Sequence, residues 1–134
     1  MSTIRRLVVT ALTTSVVAIG GLAAAGPASA AITDCPPAYT CGWRDGNYVS
    51  NGYGWSKIYF QNSIDWLGNY SWPDSGSTAN DSISSLYNNG NVMNAVWYQD
   101  IRYGGRSILL TVHESNNDLA GAGLNDALSS GRFQ

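Results

Sequence analysis

Dense turn dipeptides, short β-prone runs at regular spacing and an internal repeat predict an all-β sandwich for the main part of this 134-residue chain. The fold begins after an export leader. Arg5 and Arg6 supply a positive start, Leu7 to Ala25 is almost wholly apolar or small, and Ala28-Ser29-Ala30 gives a small-x-small cleavage pattern, so residues 1–30 read as a signal peptide. A membrane anchor is the rival reading, since the run approaches the roughly 20 residues a bilayer requires, but its wealth of Ala, Gly and Thr favours a cleaved leader. Cleavage leaves residues 31–134, or 104 residues (134 minus 30), the size of one domain. Of the 7 basic residues, Arg5 and Arg6 leave with the leader while all 9 acidic ones stay, giving a formal charge of −4. That balance argues against a nucleic-acid partner, because phosphate binding needs clustered basic residues. The mature part is expected to be secreted and extracellular, with no membrane partner, and a monomer by default.

Cys35 and Cys41 lie six positions apart in a segment bound for an oxidising compartment, so a disulfide is the default reading. A metal pair is the weaker alternative, with no second Cys pair and a single His in the chain. Asp45-Gly46, Asn51-Gly52 and Asn89-Gly90 mark turns. Strands are expected over Trp55–Phe60, Ile83–Tyr87, Val92–Tyr98 and Ser107–Val112.

Two segments share an opening and an ending. Trp43 is followed five places on by Tyr48, and Tyr98 five places on by Tyr103. The first segment closes on Asn80-Asp81-Ser82-Ile83-Ser84-Ser85 and the second on Asn125-Asp126-Ala127-Leu128-Ser129-Ser130, identical at four of six positions. The span from aromatic opening to Asn-Asp is 37 residues in the first copy (80 minus 43) and 27 in the second (125 minus 98). The surplus is expected between Gln61 and Ala79, a Ser-, Gly-, Asn- and Pro-bearing loop that carries Trp66, Tyr70 and Trp72.

With these features the chain resembles the βγ-crystallin superfamily, whose Greek keys open with an aromatic hairpin and carry an Asn/Asp-Asn/Asp-x-x-Ser/Thr-Ser calcium motif. Within it, Cys35-Pro36, Cys41-Gly42-Trp43, Asn80 to Ser85, Tyr98 to Arg106 and Leu124 to Ser130 are similar to the secreted bacterial proteins of peptidase inhibitor family I36. The resemblance implies a βγ-crystallin-like sandwich of two Greek-key motifs, one over about 41–90 and the other over about 91–134. It also implies calcium as cofactor, up to two ions, and a secreted peptidase as partner. Two departures stand out: Ser50 replaces the hairpin glycine that Gly105 supplies in the second copy, with Gly52 or Gly54 as stand-ins, and no cysteine beyond Cys41 is present to tether a reactive loop.

Calcium takes six to eight oxygen ligands, and the paired signatures offer such atoms. Asp81 and Asp126 would bring charge, Asn80, Asn125, Ser84 and Ser129 neutral side-chain oxygens, and Ser82 and Ala127 their carbonyls. The resemblance implies one further carbonyl per ion from the opposite key's hairpin, near Arg44 and Gln99. The competing reading is that Asn-Asp and Ser-Ser simply close turns through local hydrogen bonds. Repetition at matched places favours calcium.

Catalysis has little support, since His113 and Lys57 stand alone of their kinds beyond the leader; a glycosidase-like pair of Asp65 and Asp74 is a remote alternative. Trp43, Trp97, Tyr98 and Tyr103 are expected to pack in or over the core. The segment Gly68 to Ser77 is the candidate partner-binding loop, with Trp66, Tyr70, Trp72 and Asp74 as its contact residues. Three functions follow: a peptidase-directed binding module on a calcium-binding scaffold, a non-inhibitory calcium-binding structural or surface protein, and a carbohydrate- or cell-wall-directed toxin-like module.

Overall fold

The computed structural model describes residues 32–49 and 57–134, so the expected leader over 1–30, with Ser50, Gly52, Tyr53, Gly54 and Trp55, lies outside the described residues. The described residues form an all-β fold of two four-stranded antiparallel sheets. The first runs β2 (Lys57–Phe60), β1 (Thr40–Trp43), β4 (Ser85–Asn88), β7 (Ser115–Asn116), and the second β3 (Ser63–Ile64), β8 (Ser130–Phe133), β5 (Ala95–Tyr98), β6 (Ser107–Leu110). Each sheet therefore takes three strands from one half of the sequence and a short edge strand from the other. This exchange makes two Greek keys into one unit. Equivalent registers hold both ends: Trp43 faces Ser85 in the first sheet as Tyr98 faces Ser130 in the second.

The space between the sheets is filled by Ile58, Phe60, Ile64, Leu67, Trp72, Ala79, Ile83, Leu86, Trp97, Leu110, Leu119, Leu124 and Leu128. Burial of this kind contributes roughly 25 cal/mol per Å² of apolar surface. Trp97 centres it, packing on Phe60 with ring centroids 4.9 Å apart and donating from Nε1 to Thr40 Oγ1 at 3.1 Å. A smaller cluster of Cys35, Cys41 and Trp43 sits outside the first sheet under Tyr39, Tyr48 and Tyr87. The Cys35–Cys41 disulfide is formed. Glu114 closes the turn before β7 by accepting from the Thr111 backbone N–H and hydroxyl, which holds its carboxyl below the ordinary carboxylate range.

Several sequence expectations shift. Val92, Met93 and Asn94 lie in the hairpin before β5, and Ile83 and Ser84 precede β4. Strands β1 and β8 escape a propensity reading because each carries a glycine that marks turns in sequence. Here those glycines serve close packing: a Cβ on Gly42 would stand 3.1 Å from Ile83 Cδ1, and one on Gly131 would stand 2.7 Å from Phe60 Cζ. The ten-residue surplus of the first half is also split. Strand β2 starts 14 positions after Trp43 (57 minus 43) against 9 from Tyr98 to β6 (107 minus 98), and Asn80 follows β2 by 20 positions (80 minus 60) against 15 in the second half (125 minus 110). Only half of it lies in the 61–79 segment, which is built rather than loose: it holds β3, a 3-10 turn at Leu67–Asn69 and a Ser71–Thr78 bridge.

Reducing the Cys35–Cys41 disulfide should cost about 2 kcal/mol, the entropy of so short a loop, and leave the sandwich folded. Thermal melts with and without reductant check this; loss of all β-sheet circular dichroism on reduction would show that the bridge holds more than the first sheet's flank.

Candidate functional site

The site is built where the two repeated signatures meet. Asp81 and Asp126 both adopt left-handed backbone, φ 53° and 51°, a conformation Asp tolerates because its short side chain bonds locally. That geometry turns each Asp N–H onto the other signature: Asp81 donates to Leu128 O at 3.0 Å and Asp126 to Ile83 O at 3.0 Å. The side chains cross in the same sense. Ser129 Oγ donates to Asp81 Oδ1 at 3.2 Å, and Ser84 Oγ donates to Asp126 Oδ1 at 3.4 Å. Within each turn the neighbouring amide completes the carboxylate's surroundings, Asn80 Nδ2 on Asp81 Oδ2 at 2.6 Å and Asn125 Nδ2 on Asp126 Oδ2 at 2.8 Å.

The opening hairpins close on the same place. Ser84 N–H donates to Trp43 O and Ser129 N–H to Tyr98 O, both at 2.9 Å, which sets Arg44 beside Ser84 and Gln99 beside Ser129. The last serine of each signature is a fully buried tie that the sequence reading missed. Ser85 Oγ accepts from Tyr48 N–H at 3.1 Å and donates to Asp45 O at 2.7 Å; Ser130 Oγ accepts from Tyr103 N–H at 2.9 Å and donates to Asp100 O at 2.6 Å. Both hairpins fold over through left-handed pairs, Asn47–Tyr48 and Arg102–Tyr103, and set Tyr48 edge-on to Trp43 and Tyr103 edge-on to Tyr98. The signal was present in sequence as identity at the sixth position of the signature.

The first half's insertion abuts this centre. Leu67 N–H donates to Ser129 O at 2.7 Å, and Trp72 Nε1 donates at 2.8 Å to Ser82 Oγ, whose own proton goes to Thr78 O. The Ser82 hydroxyl is thus committed, leaving its carbonyl as the atom relevant to the expected role. Trp72 is fully buried, so the expectation of a partner-contacting Trp72 is corrected: the ring fills core space under the acidic turn. Asp74, on the exposed loop tip, is held within the protein. Arg44 grips its carboxylate with two bonds, Nη2–Oδ2 at 2.8 Å and Nη1–Oδ1 at 3.3 Å, and adds Ser75 Oγ at 3.2 Å. This pins the loop tip and offsets the positive charge beside Ser84. Trp66 and Tyr70 remain exposed, at either end of the Leu67–Asn69 turn, with the Trp66 ring lying on Gly68 where any Cβ would overlap it.

Chemically, each crossed pair presents one carboxylate, one hydroxyl and one amide, a hard-oxygen set of low charge. Among the described residues no group of three or more His, Cys, Asp or Glu side chains could hold a metal. A calcium-like ion is one that accepts neutral oxygens, and a single carboxylate per set corresponds to modest affinity. Asn80 Oδ1 sharpens the fit: it is buried with no hydrogen-bond donor, a costly state for an acceptor that a cation would relieve.

The sheet order, exchanged edge strands and paired signatures define a βγ-crystallin-type domain. Solved structures agree in fold. One from a study of the evolution of the eye-lens βγ-crystallin domain fold superposes at TM-score 0.61 with 23% identity, covering 75% of this chain and 89% of its own. A βγ-crystallin from Ciona intestinalis gives 0.55 at 20% identity over 72% and 99%. One from an archaeon gives 0.53 at 20% over 74% and 100%. No curated protein matches the sequence. Residues 28–110 match the model of peptidase inhibitor family I36, and the chain belongs to that family.

Ser130→Ala should destabilise the domain by roughly 1–3 kcal/mol, because it orphans the Tyr103 N–H in a buried setting, and Ser85→Ala should do the same for Tyr48. Denaturant melts check both; a loss below a few tenths of a kcal/mol would show that the hydroxyl ties carry no weight.

Proposed function

We propose that the protein is a secreted, non-enzymatic binding module directed at an extracellular peptidase, on a scaffold that calcium braces at two crossed sites. The observation that carries the calcium arm is the reciprocal pairing of Asp81 with Ser129 and of Asp126 with Ser84. One ion would engage Asp81, Asn80, the Ser82 carbonyl and Ser129, with Gln99 at hand; the other would engage Asp126, Asn125, the Ala127 carbonyl and Ser84, with Arg44 at hand. Such an ion joins ligands from both keys, so binding is linked to the folded pairing and absent from the unfolded chain. Its contribution is cohesive: the residues hold the ion, and the ion holds the keys.

The peptidase arm rests on family membership. An extracellular setting is supported by the export leader read from the sequence and by the disulfide. Among the described residues no helix is long and apolar enough to cross a membrane.

With dissociation constants near 10⁻⁴ M, calcium near 10⁻³ M adds roughly 1.4 kcal/mol per site, which raises the melting temperature by several degrees. Asp81→Ala combined with Asp126→Ala should abolish the rise; a melt indifferent to millimolar calcium removes the calcium arm. The peptidase arm is checked by steady-state inhibition of metallo- and serine endopeptidases, and inactivity across that panel rejects it.

A further inference from the structure

The pole of the sandwich opposite the acidic turns carries a loop with an unusual combination of rigidity and apolar exposure. Between β4 and β5 the chain runs Asn89-Gly90-Asn91-Val92-Met93-Asn94. Its base is braced from inside by Asn88, whose side chain is fully buried. Asn88 Oδ1 accepts from Gly90 N–H at 2.8 Å, while Nδ2 donates to Met93 O at 3.1 Å and reaches Leu110 O and Thr111 O at 3.0 and 3.1 Å. One side chain thus ties both legs of the loop to each other and to the end of β6.

Both flanks are fixed again from outside. Asn89 donates through its backbone to Tyr39 O at 2.9 Å and through Nδ2 to Cys35 O at 2.8 Å, joining the first leg to the disulfide segment. Asn94 exchanges two backbone bonds with Gln134, at 3.0 and 2.9 Å, joining the second leg to the end of β8. Gly90 fits a cradle in which a Cβ would stand 2.8 Å from both Asn88 Oδ1 and Phe133 Cε1. From this fixed base Val92 projects with 86% of its surface exposed, followed by Met93 at 45%. Beside them opens a cleft of about 220 Å³, lined by Ala38, Gln61, Asn62, Asn91, Met93 and Phe133 without a charged side chain.

An aliphatic side chain on a pre-ordered loop loses little entropy when a partner engulfs it, and a few centrally buried residues carry most of an interface's energy. In the segment Gly68 to Ser77, Trp72 is buried and Asp74 is bound to Arg44, which leaves Tyr70 exposed there beside Trp66 as the competing contact surface. We infer that the 89–94 loop is the peptidase-contacting element, with Val92 entering an aliphatic specificity pocket of an extracellular endopeptidase and the neutral cleft receiving the rim. The inference rests on the peptidase-directed reading of the family. Asn88 is the positioning residue of the loop.

The test is inhibition of a thermolysin-like metalloendopeptidase and a subtilisin-like serine endopeptidase by the mature protein, by Val92→Asp and by Trp66→Ala, each variant first shown to melt like the wild type. The expected result is inhibition of at least one enzyme that Val92→Asp weakens at least tenfold and Trp66→Ala leaves within twofold, with Val92→Ile retaining inhibition. Inhibition that Val92→Asp leaves unchanged and Trp66→Ala removes overturns the assignment of the loop while sparing the peptidase-directed reading. A wild type that inhibits neither enzyme overturns both.

Discussion

Two left-handed aspartates, each giving its backbone N–H to the other's turn, are the constraint on which the rest of the structure depends. Left-handed backbone at a non-glycine residue costs of order 1–2 kcal/mol, so the conformation persists only where surrounding contacts over-determine it. Those contacts come from everywhere in the fold. Ser84 and Ser129 face the carboxylates, Trp43 and Tyr98 accept from the serine N–H groups, and Ser85 and Ser130 lock the hairpins behind them. The serine ties stay within one half, but the partners of each Asp, N–H and carboxylate alike, include groups of the opposite half, so neither key completes its acidic turn alone. The exchanged strands β3 and β7 repeat the same dependence at the sheet edges.

The pseudo-symmetry is broken by the insertion in the first half, and the break has a physical function of its own. Trp72 adds a fully buried ring to the core and braces Ser82, while Arg44 anchors the loop tip through Asp74. The insertion therefore touches both acidic turns, one through Leu67 and Ser129 and the other through Arg44 beside Ser84. At the far pole, Asn88 does for the 89–94 loop what Ser85 and Ser130 do for the hairpins: a buried polar side chain satisfies backbone groups that would otherwise face an apolar interior.

Much of this arrangement was legible in the residues. The repeat of Asn-Asp-x-x-Ser-Ser marked the two turns, the aromatic openings marked the hairpins, and the six-residue cysteine spacing marked the bridge that forms. What stayed hidden depended on contacts distant in sequence. Gly42 and Gly131 look like turn residues until the side chains of Ile83 and Phe60 are seen against them. Trp72 and Val92 were misjudged for a common reason: an aromatic among turn formers suggests exposure, and a valine shortly before Val96-Trp97-Tyr98 suggests a strand. Only the tertiary positions of Ser82 and Asn88 show the first buried and the second projecting. Family I36 membership and the Greek-key architecture were both implied by the motifs; the crossing of the two turns was not written in either alone.

Calorimetric calcium titration of two double variants tests that crossing most directly. If each ion is held by the aspartate of one turn and the serine of the other, Asp81→Ala with Ser129→Ala disables one site and leaves a single ion bound, whereas Asp81→Ala with Ser84→Ala disables both. The reverse outcome, one ion retained by the second variant and none by the first, would show that each turn binds for itself and would contradict the account.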